Sequence, residues 1–167
     1  MEYAATTIAQ SLRGMAQVIL KGLGTRVLYT SQGGYDTHAN QVPVQTPLLS
    51  DLSAGIGDFF TDLREHDAAD NVMMLVFTEF GRRVKDNGSG SDHGSGGASY
   101  LIGQPVNGGM LGEYPSLKEE DQLDGDLHFN VDFRSVYSTI VDRWMGLDAK
   151  SAIGGNYELL DFVRSSN

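Results

Sequence analysis

Asn71–Thr78 reads NVMMLVFT, six apolar residues closed by a threonine and opened by an asparagine. A short continuous apolar run of this kind is the pattern of a strand buried on both faces of a parallel sheet. Upstream, Arg26–Thr30 (RVLYT) is a second β-type run, and it breaks at Gly33-Gly34. Before it, Ile8, Leu12, Met15 and Ile19 recur at helical spacing, which predicts an amphipathic helix over residues 3–21, stopped by Gly22 and Gly24. Between the two β-type runs, Thr46 followed by Pro47 is a helix start, with proline at the first helical position. Leu48, Leu52, Ile56, Phe59 and Leu63 continue that helix to about Arg64.

The order helix, strand, helix, strand predicts an α/β fold, a mainly parallel sheet with helices on both faces. Right-handed crossovers then bring the loops after Thr30 and Thr78 to one sheet edge, where open α/β sheets bind ligands. Residues 85–97 are rich in Gly, Ser and Asp and read as a connector or a ligand loop. Ser99–Ile102 reads as a short strand, and residues 103–130 as mostly loop with short strands. Phe133, Val136, Tyr137, Ile140 and Trp144 predict a last helix, started by Asp132 and stopped near Gly146.

Composition narrows the function. The 167 residues fit one domain, taken as spanning residues 1–167. Twelve Lys and Arg against 22 Asp and Glu leave a net charge of -10, which argues against binding the phosphate backbone of nucleic acid. No run of about 18 apolar residues is present, so no membrane helix is expected, and no signal peptide is visible. Cysteine is absent. Any metal must therefore use His, Asp or Glu, which suits zinc, manganese, calcium or magnesium.

Three stretches carry candidate chemistry. In Gly33-Gly34-Tyr35-Asp36-Thr37-His38, an Asp and a His two apart can aim at one cation, and a turn with an exposed His is the alternative. In Thr78–Arg83, Glu79 is a ligand, a general base or a helix-terminal charge. There Arg82 and Arg83 either bind an anionic substrate or form surface ion pairs. Asp92-His93-Gly94 lies in the small-residue loop, as a ligand pair or as part of a linker. Asp86-Asn87-Gly88 lacks the order of an EF-hand calcium loop. His66 reads as a capping or solvated residue, His128 as structural, and Tyr137 and Trp144 as packing.

With these residues in place, the chain resembles the C-terminal part of a bacterial sulfatase-like family, known only as a domain of unknown function (fifteen hundred and one). Gly33–Gln41, Phe77–Arg83, Ser91–Gly94, Gly112–Ser116 and Asp132–Tyr137 carry the resemblance, over residues from about 8 to about 146. It implies an alkaline-phosphatase-like fold and metal-dependent hydrolysis of sulfate or phosphate esters, small or polysaccharide. It also implies that Asp36 and His38 hold a first metal completed by His93, with Asp92 as ligand or neighbour. Glu79 would then serve a second metal, and Arg82 or Arg83 the substrate anion. Zinc is the first expectation for the ion. The family's nucleophile and first metal-binding Asp lie near the beginning of its domain. The chain therefore reads as a partial domain that is inactive alone, and whose truncated sheet invites self-association. The parent is expected to be exported, to the periplasm or beyond. The alternative is a non-catalytic module that binds a divalent metal or another protein.

Overall fold

The computed structural model describes residues 1–164. The chain divides into two compact units, Met1–Val72 with Lys85–Asp92, and Met73–Val84 with His93–Asn167.

The first unit is built on two helices, α1 (Thr7–Leu20) and α2 (Gln41–Glu65). Thr6 caps α1 by accepting from the Ala9 N–H. Ile8, Ala9, Leu12 and Ala16 of α1 are buried, as are Phe59, Phe60 and Leu63 of α2, and the two helices pack together. Gly55 marks a close approach of the two, since a Cβ there would lie 3.3 Å from the Ala9 Cα and 3.3 Å from Leu12 Cδ1. α2 begins six residues before the predicted proline start, so Pro47 sits inside the helix. Proline cannot donate the N–H of a helical hydrogen bond, and side-chain bonds also tie the preceding loop to this part of the helix. Gln32 Nε2 donates to the Leu48 carbonyl at 3.2 Å, while Gln45 Nε2 donates to the Tyr35 carbonyl at 3.1 Å and to Thr37 Oγ1 at 2.9 Å. These bonds fasten residues 32–37 to the first turns of α2.

The second unit contains β1 (Met74–Val76), paired antiparallel with β4 (Tyr100–Ile102) in the register Met74–Ile102, Leu75–Leu101, Val76–Tyr100. α3 (Phe133–Thr139) is capped by Asp132 and runs on as a π-helical turn over Ile140–Trp144. α4 (Ala149–Ile153) follows, capped by Asp148. A bridge from Val106 to Val163 closes a small core containing Phe162. The hairpin of β2 (Gly81–Asp86) and β3 (Ser91–Gly94) has its base in this unit and its tip in the first. Among the described residues no helix is long and apolar enough to cross a membrane.

The predicted α/β class is overturned. Among the described residues the chain is mainly helical, with two two-stranded sheets and no mainly parallel, alkaline-phosphatase-like sheet. Arg26–Thr30 forms no strand, and its Val27 and Tyr29 are 68% and 74% exposed. A strand must hand its backbone N–H and C=O groups to a neighbour. β1 takes its neighbour from residues 100–102 instead, shrinks to three residues and stays only half-buried. Among the described residues the shared sheet edge expected from crossovers therefore does not form, and the alkaline-phosphatase-like fold that depended on it falls with it.

Candidate metal centre

In the first unit, His38 lies between two carboxylates. Its Nε2 is 3.1 Å from Asp36 Oδ1 and its Nδ1 is 3.2 Å from Asp92 Oδ1. Two different features bring these groups together. Residues 32–37 are pinned to α2 as described, which places Asp36 and His38 just before the helix begins at Gln41. The hairpin tip delivers Asp92. Asn87 N donates to the Gly90 carbonyl at 3.0 Å, and Gly88 takes a φ of +98° that favours glycine.

All three side chains are exposed, His38 by 50%, Asp92 by 59% and Asp36 by 67%. Surface ion pairs contribute only about 0–1 kcal/mol, so stability is a weak reason for the arrangement. A neutral imidazole carries one ring hydrogen and can donate to only one of two carboxylates. Serving both needs a second proton or a cation at one nitrogen. Two ligand atoms held at about 2.0–2.2 Å by one zinc ion lie about 3.4 Å apart at a tetrahedral angle. The 3.1 Å between Asp36 Oδ1 and His38 Nε2 is close to that, and is also an ordinary hydrogen-bond length. The cluster can therefore chelate a divalent cation, and its mixed nitrogen and oxygen donors do not single one out.

The other expected site residues belong to the second unit. His93 follows Asp92 on β3, and its ring stacks on Phe80 with centroids 3.8 Å apart and planes 11° apart. The Arg82 guanidinium lies 5.1 Å over the same Phe80 ring. Arg83 Nε is 3.5 Å from Asp126 Oδ1, so this arginine has a carboxylate of its own. Glu79 is exposed in the bend between β1 and β2. His66 ends α2, with its Nδ1 2.8 Å from the Asp62 carbonyl, and His128 is exposed.

Asn87 is the residue that the sequence reading passed over. Its Nδ2 donates to the His38 carbonyl and to Asp92 Oδ1, each at 3.1 Å. Asn-Gly between two short runs is a strong hairpin cue, and Asn87-Gly88 carries it within a stretch that otherwise reads as a connector or a ligand loop.

Residues 3–157 match the family model described as Protein of unknown function (DUF1501). No curated protein and no solved structure matches the chain.

Proposed function

The chain belongs to the DUF1501 family, and we propose that its first unit is a divalent-cation-binding module centred on Asp36 and His38. One observation carries this reading: both ring nitrogens of a single exposed histidine face carboxylate oxygens, at 3.1 and 3.2 Å. Zinc is the first ion to try, because it accepts imidazole nitrogen and carboxylate oxygen together; manganese, calcium and magnesium follow. His93 as a further ligand, Glu79 as a ligand of a second ion, and Arg82 and Arg83 as anion-binding residues are proposals that start from their sequence motifs.

A finer reading is metal-dependent hydrolysis of a sulfate or phosphate ester. A bound cation would polarise the ester oxygen and acidify a water or hydroxyl. In this chain Asp36 and His38 would hold that ion, and the alkaline-phosphatase-like sheet has no part in the reading.

Isothermal titration with zinc, manganese, calcium and magnesium tests the proposal on the wild type and on Asp36→Ala and His38→Ala. Saturable binding by the wild type, lost in both variants, is the expected result. Equal binding by all three proteins would exclude this cluster. Generic sulfate and phosphate esters, assayed with the bound metal, separate the two readings. A module binds metal without turnover, whereas a hydrolase shows turnover that disappears with Asp36→Ala.

A further inference from the structure

Asp92 Oδ1 faces two nitrogens in the first unit. Asn87 Nδ2 donates to it at 3.1 Å, and His38 Nδ1 lies 3.2 Å away. The same Asn87 amide donates to the His38 backbone carbonyl at 3.1 Å. One side chain thus ties down both the backbone of the histidine and the carboxylate that faces its ring. The surroundings reinforce the frame. Ser91 Oγ bonds to Gln41 Oε1 at 2.8 Å, and Asn40 N donates to Ser89 Oγ at 3.2 Å. Gly90 presses against His38, since a Cβ there would lie 3.1 Å from the His38 carbonyl oxygen and 3.1 Å from Gln41 Oε1.

A carboxylate oxygen that already takes an amide hydrogen and faces an imidazole nitrogen is placed to orient that ring. Histidines that bind a metal through one nitrogen commonly donate the other N–H to such an acceptor, which fixes the tautomer. We infer that Asp92 is a positioning residue and not a ligand: held by Asn87, it takes the hydrogen on His38 Nδ1 and leaves Nε2, beside Asp36, for the cation. This rests on the cation-binding reading of the cluster.

The test compares zinc affinity by titration calorimetry in the wild type, Asp92→Asn, Asp92→Leu, Asn87→Ala and Asp36→Asn. An asparagine at 92 still offers an oxygen to both nitrogens but is a poor zinc ligand, so Asp92→Asn should bind close to wild type. Asp92→Leu, which removes the acceptor, should lose about 10–100-fold in affinity. Asn87→Ala should lose less in the same direction, and it keeps the question open to test if Asp92→Leu does not fold. Asp36→Asn should lose most of the binding. Side-chain nitrogen NMR of the zinc-loaded wild type should show hydrogen on His38 Nδ1 and zinc on Nε2. Zinc on Nδ1, or an Asp92→Asn defect as large as that of Asp36→Asn, overturns the inference. If the wild type binds no cation, the cation reading fails on its own. The metal-free ring then decides: hydrogen on Nδ1 that is lost in Asp92→Leu supports positioning by Asp92, and hydrogen on Nε2 in both proteins overturns it.

Discussion

The Tyr3 hydroxyl donates to Asp62 Oδ2 across 2.9 Å, and both residues are buried. Burial, then this bond, then the negative charges of Asp62 and Asp58 push the phenol above its ordinary value of 10.0. A raised folded-state value means that the folded chain holds this proton more tightly than the unfolded chain does. The resulting stability is complete below pH 10.0 and is lost as the pH rises beyond it. Thermal melts should therefore weaken as the pH climbs above 10, and Tyr3→Phe should flatten that slope. Because Tyr3→Phe also takes a donor from a buried carboxylate, it should cost about 1–3 kcal/mol at neutral pH in denaturant titrations.

Gly55 sets how closely α1 and α2 pack. Its Cβ position lies 3.3 Å from backbone that cannot swing aside, so Gly55→Leu should overpack the crossing and cost about 1–3 kcal/mol by denaturant unfolding. Both helices were legible in the sequence because their apolar residues recur at helical spacing. The early start of α2 was not, because it depends on Gln32 and Gln45 bonding across the loop, which no local pattern records. The strand at Met74–Val76 was also legible, but not its partner. An apolar run does not say whether its neighbour will be parallel or antiparallel, and that choice decides between a buried sheet and an exposed pair. Asp36, His38 and Asp92 could be named as ligand-type residues from their motifs. Their meeting could not be derived from the sheet edge invoked for it, because a hairpin tip brings them together instead.

For the whole molecule, the helical architecture predicts a circular dichroism spectrum dominated by α1 and α2, which supply 14 and 25 residues. A spectrum dominated by β-structure would contradict the fold. The net charge of -10 means that cations accumulate around this protein without any specific site. A general salt effect must therefore be separated from true chelation. A ligand that binds only the folded state stabilises it by about 2.7 kcal/mol at a hundred times its Kd. The most direct test is a thermal melt of the wild type and of Asp36→Ala/His38→Ala in saturating zinc, with sodium chloride at equal ionic strength as the charge control. A rise in Tm for the wild type with zinc, absent from the double variant, is the predicted result. The same rise in both proteins, or none in the wild type with zinc or any other divalent ion, would contradict a cation site at Asp36 and His38.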